Sequence, residues 1–245
     1  MKILTVLATA VLSFAGSSDP NTKTPVLVEL FTSEGCSSCP PADALLMKLD
    51  RMQPVPNAQI VILSEHVDYW NYLGWSDPYS SAQFSQRQQM YARALNANTY
   101  TPQAVVDGHT EVLGSDARAL QSAISKSASH TKTPVRIVSV DRDGSTAEVH
   151  VTIDAKSSGK ADVWIAIAED FAQSNVRRGE NSGRTLAHAA VVRRLEKVAT
   201  VHSGESFDKT LRVALNSSGD ARAVVIVAEP GGAVTGLAME HIKSH

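Results

Sequence analysis

The sequence predicts an α/β (α+β) fold built in two parts, and three observations carry that prediction. A Cys-x-x-Cys pair, Cys36-Ser37-Ser38-Cys39, lies between an apolar strand-like run and a helix-like run. Asp107-Gly108 separates two short apolar runs, which is the composition of a tight hairpin. Beyond about residue 135 the apolar period falls to two, the repeat of half-buried strands. The chain has 245 residues, 43% of them hydrophobic and 20% charged, with a net charge of −2. That is enough for one large domain or two of moderate size. It lacks the basic excess that would mark a nucleic-acid partner or an anionic membrane surface.

Taken in order, Met1-Lys2 followed by apolar residues 3–14 and the small-residue stretch around Ala15 predicts a signal peptide over residues 1–18, cleaved near 15–18. The apolar core is too short for a comfortable membrane span, and no cysteine follows it, so no stable membrane anchor is expected. The predicted location is periplasmic or secreted, where disulfides persist. Residues 25–31 read as a buried strand. Pro40 suits a first helical turn, with Leu45, Leu46 and Leu49 at helical spacing behind it until Pro54 and Pro56 stop the helix. Residues 59–64 form a second apolar run. Strand, helix, strand implies a right-handed unit with parallel strands, so residues 65–79 emerge on the side that carries Cys36. That segment holds two of the three tryptophans and three of the five tyrosines.

A helix over residues 80–95 follows, with Phe84, Met90, Tyr91 and Leu95 inward. Next come a hairpin of residues 104–106 and 110–113 and a last helix capped by Ser115 or Asp116. The order β-α-β-α-β-β-α, with Cys-x-x-Cys on the first strand-to-helix turn, is that of a thioredoxin-like N-terminal domain over residues 24–128. Residues 129–134 read as a linker. Over 135–245, alternation at Ala147, Val149, Val151 and Ile153 and strand candidates at 163–168, 190–198, 207–213 and 221–228 predict a small β-sandwich-like C-terminal domain.

Cys36 and Cys39 are the only cysteines. As a redox dithiol, Cys36 would be the exposed nucleophile and Cys39 the resolving thiol, the helix N-terminus lowering the thiol pKa. Two other readings stand beside it. One is a local structural disulfide, whose small loop yields little chain-entropy stabilisation. The other is a half-built metal site with His66, although two cysteines alone do not complete a zinc site. Thr101-Pro102, just before the third strand, is where such a fold places a cis proline against the Cys-x-x-Cys loop. His66 and Asp68 are expected at the mouth of the second strand. There the histidine would hold a thiolate or move protons, or be satisfied by loop hydrogen bonds. Trp70 and Trp75, with Tyr72, would form an apolar rim for an incoming chain or serve as the loop's own core. Arg177, Arg178, Gly179, Glu180, Asn181, Gly183, Arg184 and His188 form a polar loop between two strands. The more ordinary reading is a solvated loop; the alternatives are an anion site or a contact with the first domain.

Residues 30–43, 66–78, 100–103 and 176–188 together resemble the signature stretches of a bacterial secreted family of unknown function, the domain of unknown function numbered 1223. The resemblance implies a thioredoxin-like first domain joined to a β-rich second one, and implies no substrate. The resulting expectation is an exported thiol–disulfide oxidoreductase acting on protein or peptide thiols and disulfides, without cofactor or bound metal. The alternatives are a thioredoxin-like binding protein without redox turnover and a metal-handling protein using Cys36, Cys39 and His66.

Overall fold

The structure, a computed structural model, describes residues 23–155, 159–216 and 219–244. The expected signal peptide and its cleavage region lie outside the described residues. The first half runs β1 (Thr24–Thr32), α1 (Pro40–Met52), β2 (Ala58–His66), a 3-10 turn (Asn71–Leu73), α2 (Ala82–Leu95), β3 (Gln103–Val106), β4 (Thr110–Leu113) and α3 (Ala117–Ser127). β1 and β2 pair in parallel from Thr24↔Ala58 to Thr32↔His66, while β3 runs antiparallel to β1 and β4 antiparallel to β3.

Local chemistry explains the boundaries. Cys39 occupies the N-cap position of α1 without a side-chain cap, and Pro40 and Pro41 fill the first turn, where a missing N–H costs nothing. The Ser81 hydroxyl caps α2 through Gln83 N–H, and the Asp116 carboxylate caps α3 through the N–H groups of Arg118 and Ala119. Asp107 and Gly108 both have positive φ, 48° and 68°, the central pair of a tight turn closed by His109 N–H onto Val106 O within a three-residue loop. A side chain at Gly108 would collide with the Gly232 carbonyl, so only glycine fits. The buried Asp107 carboxylate ties the turn inward, accepting from Leu27 N–H, Lys132 Nζ and Ser127 Oγ.

The second half comprises β5 (Val135–Asp143), β6 (Thr146–Ile153), β7 (Lys160–Asn175), β8 (Thr185–His202), β9 (Phe207–Ala214), β10 (Ala221–Ala228) and β11 (Val234–Ile242). Among the described residues the strands form two sheets. The larger has the order β11-β10-β7-β8-β2-β1-β3-β4, and the smaller is β5-β6-β9. The expected linker, 129–134, is a connection, but the large sheet runs through both halves. β8 lies parallel to β2 at Ser64↔Val191, and Ser64 Oγ donates to Ala189 O at 2.7 Å. The molecule is therefore a mixed α/β protein with one large, mostly strand sheet and few helices.

Period-two alternation assigns the two cores. Val163, Ile165 and Ile167 of β7 and Ala223, Val225 and Val227 of β10 pack with Ala147, Val149, Val151 and Ile153 of β6. Their neighbours Ala166, Ala168, Val224, Ile226 and Ala228 join the core of β1, β2, α1 and α3. A sheet covered on both faces reads as a continuous apolar run, which is why β10 is buried at every position. β7 and β8 are far longer than the runs visible in the sequence. Their hairpin reaches about 50 Å at the usual rise, and its tip crosses to the first half.

Candidate functional site: a covered disulfide over a buried acid–base cluster

Cys36 and Cys39 form a disulfide, Cα to Cα 5.4 Å, on the turn between β1 and α1. The turn is tightened by Cys36 N–H to Ser33 O and Cys39 N–H to Cys36 O. Neither cysteine has measurable exposure, although Ser37 and Ser38 between them are exposed. The expectation of an exposed Cys36 is thus corrected. The tip of the β7–β8 hairpin docks on the backbone of this turn. Asn181, itself fully buried, donates from Nδ2 to the carbonyls of both Cys36 and Glu34, 2.9 Å each. Glu180 accepts from Ser37 N–H at 3.1 Å. The Asn181 carbonyl oxygen is in turn held by Arg184. The loop over residues 176–184 is therefore not merely solvated; it docks on the disulfide turn.

Beneath the turn lies a buried polar cluster centred on Glu34. Its Oε2 accepts from Trp75 Nε1 at 2.8 Å, and its Oε1 accepts from Ser174 Oγ on β7 and faces His188 Nε2 on β8 at 3.4 Å. Glu34 N–H donates to Asp77 Oδ2 at 2.8 Å. His188 Nδ1 lies 3.6 Å from Asp43 Oδ1, one helical turn beyond Cys39. Burial works against charge on His188, but the Asp43 and Glu34 carboxylates outweigh it and raise its pKa to about 9. His188 is therefore an imidazolium at neutral pH. The His66 ring stands edge-on to it with centroids 4.6 Å apart, and Tyr79 packs on both. Burial pushes the Asp77 carboxyl up, yet His66 at 2.7 Å and the N–H groups of Glu34 and Tyr79 hold it below its ordinary value.

The structure gathers some of the expected residues and disperses others. Trp70 joins the site, its Nε1 donating to Thr101 Oγ1 at 2.8 Å, and a Cβ added at Gly35 would lie 3.1 Å from the Trp70 Cβ. The Thr101–Pro102 peptide bond is cis. Trp75 joins through Glu34. His66 is buried, with its Nδ1 2.7 Å from Asp77 Oδ2 of the following loop. Asp68 turns away, accepting from Ser85 Oγ at the start of α2. Asp43, Asp77 and Glu34 lie in the stretches that carry the family resemblance, but the sequence assigns none of them a role. Among the described residues no group of three or more His, Cys, Asp or Glu is arranged to hold a metal ion. No helix there is long and apolar enough to cross a membrane.

A second buried ionic cluster lies between β1, β2 and α2. Arg87 Nε donates to Glu29 Oε1 at 2.6 Å, Tyr91 OH donates to Glu29 Oε2 at 2.5 Å, and Glu65 lies 3.5 Å from Arg87. Burial and the neighbouring Glu29 hold Glu65 well above the usual carboxylate range. Its oxygens have no hydrogen-bond partner among the described residues.

Fold and site together define a mixed α/β protein with a Cys-x-x-Cys disulfide. The chain belongs to the family described as protein of unknown function (DUF1223), whose model matches residues 27–228. No curated protein matches it. Among solved structures it is similar to protein AGR_C_4864 from Agrobacterium tumefaciens, a structural-genomics target. That protein is 29% identical with a TM-score of 0.67, over 91% of this chain and 96% of that one. The sporulation control protein Spo0M from Bacillus subtilis is 12% identical with a TM-score of 0.31, over 47% of this chain and 51% of that one, which carries no argument.

Proposed function

We propose that the protein is an exported thiol–disulfide oxidoreductase whose first half is a thioredoxin-like unit. The carrying observation is the Cys36–Cys39 disulfide at the first turn of α1, on a strand-to-helix turn with Thr101-Pro102 leading into β3. The order β1-α1-β2-α2-β3-β4-α3, with β1 and β2 parallel and β3 antiparallel, supports the same reading. From the oxidised state, a partner thiolate attacks Cys36 Sγ, the intramolecular S–S bond breaks, and Cys39 leaves as a thiolate at the positive end of α1. A second partner thiolate attacks the mixed disulfide and releases Cys36. The partner becomes a disulfide, and two electrons pass to the dithiol. Partners are protein or peptide thiols and disulfides of the periplasm or the extracellular space.

The complete burial of both sulfurs favours one second reading, a binding scaffold without turnover. In that case the aromatic loop 66–79 is the working surface, with Tyr72 91% exposed at its tip. A Cys39→Ser variant expressed in the cell envelope separates the two. The oxidoreductase accumulates mixed disulfides through Cys36 that vanish in Cys36→Ser and on reduction, whereas the scaffold traps none.

A further inference from the structure

We infer that the tip of the β7–β8 hairpin is a latch that governs access to the disulfide, keyed by Glu34. The inference rests on the redox reading for its biological use, but its geometry stands apart from it. Glu34, two residues before Cys36, is held at three points by one hairpin. Ser174 on the outgoing arm and His188 on the returning arm reach its carboxylate, and Asn181 at the tip reaches its carbonyl. The same Asn181 amide spans to the Cys36 carbonyl, so a single side chain joins socket and disulfide turn.

The tip is built to move as a piece. Gly179 and Gly183 carry positive φ, 76° and 81°, and Ser182 N–H closes a turn onto Gly179 O. Gly179 rests against Gly74 and Trp75, where an added Cβ would press on the Trp75 side chain at 3.2 Å. Most of the tip is exposed, including Arg177, Arg178 and Gly183, while Asn181 alone among residues 177–184 is buried. Such a segment has few apolar contacts to break, the signature of an element that opens at low cost. Thiol–disulfide exchange needs the attacking sulfur to approach in line with the S–S bond, and a fully covered pair cannot be attacked until its cover lifts. Exchange therefore proceeds through a minor, tip-open state, and the observed rate scales with its population.

The test reads the protein's own disulfide and needs no natural partner. Dithiothreitol reduces the folded, oxidised protein, and the rate is followed by alkylation and mass. Asn181→Ala and the near-isosteric Asn181→Asp, which loses both donors, should raise the rate roughly tenfold, the weight of one or two buried hydrogen bonds. Glu180→Ala should raise it about twofold, its bonding to Ser37 being exposed. Arg178→Ala, on the same tip, should leave it unchanged. Equal rates for the wild type and both Asn181 variants, with melting temperatures preserved, would overturn the latch. Failure of the oxidoreductase reading is a different result. Cys39→Ser then traps nothing, yet the Asn181 variants still accelerate reduction by dithiothreitol.

Discussion

Two of the buried ionic clusters among the described residues, around Arg87 and around Glu34, are built on opposite plans. Around Arg87, charge is matched within a short reach of chain. Glu29, Glu65 and Tyr91 come from β1, β2 and α2, all of the first half, and one guanidinium serves them. Around Glu34 the partners come from both halves, His188 being 154 residues away. They include the hairpin that covers the disulfide. The first plan binds strand to helix. The second binds one half of the protein to the other at the one place where covalent chemistry can change. A buried ion pair is weak evidence of stability by itself, so the contrast lies in what each cluster is attached to.

Three variants sharpen the contrast. Arg87→Met takes the guanidinium from the buried Glu29 carboxylate and should cost about 3–5 kcal/mol in urea unfolding at pH 7. The rate of disulfide reduction in the molecules that remain folded should not change. An Arg87 variant that also accelerated reduction would merge the two clusters into one unit.

His188 supplies a pH signature. Its folded-state pKa is raised from 6.5 to about 9, so its contribution is fully present below pH 6.5 and is lost as pH climbs through about 9. The groups facing it are Asp43, Glu34, His66 and Tyr79. Wild-type unfolding free energy should fall by about 3 kcal/mol from this group between pH 6.5 and pH 9.5. His188→Gln should flatten that slope, and an unchanged slope would remove the imidazolium from the account.

Glu65→Gln should have the smallest effect. The raised pKa means that its stabilising share is present below about pH 4.5 and is lost as pH rises towards the folded value. The amide cannot ionise, so the variant should melt as high as the wild type or slightly higher at pH 7, by up to about 1 kcal/mol. That gain should disappear at pH 4.

Much of the first half was legible because its signals are local. Asp107-Gly108 specifies its own turn, Asp116 its own cap, and the Pro40-Pro41 pair its own helix start. The aromatic richness of residues 65–79 pointed to a loop beside Cys36, and Trp70 and Trp75 do meet the site there. The second half hid its decisive feature. Residues 169–175 and 185–189 are too mixed in polarity to read as strand, yet they pair across the hairpin from Glu169↔Val191 to Asn175↔Thr185. β5 ends in three consecutive charged residues, Asp141, Arg142 and Asp143, and β11 carries Glu240 and His241 near its end, so neither stood out. Glu34, Asp43, Asp77 and His188 lie in the stretches that carry the family resemblance, but nothing in those stretches says that they meet. Only contacts across more than a hundred positions bring Glu34 and Asp43 to His188, and no periodicity encodes those.

The single parallel contact between β2 and β8 has a practical consequence. A fragment that stopped at residue 128 would strip β8 from the flank of β2 at Ser64 and uncover the apolar side chains that share a core with Ala166, Ala168, Ala190 and Val192. Raw strand borders of that kind recruit other chains. Attempts to shorten this protein to its cysteine-bearing portion should yield a sticky, readily reduced product, because the shield and the border guard are the same pair of strands.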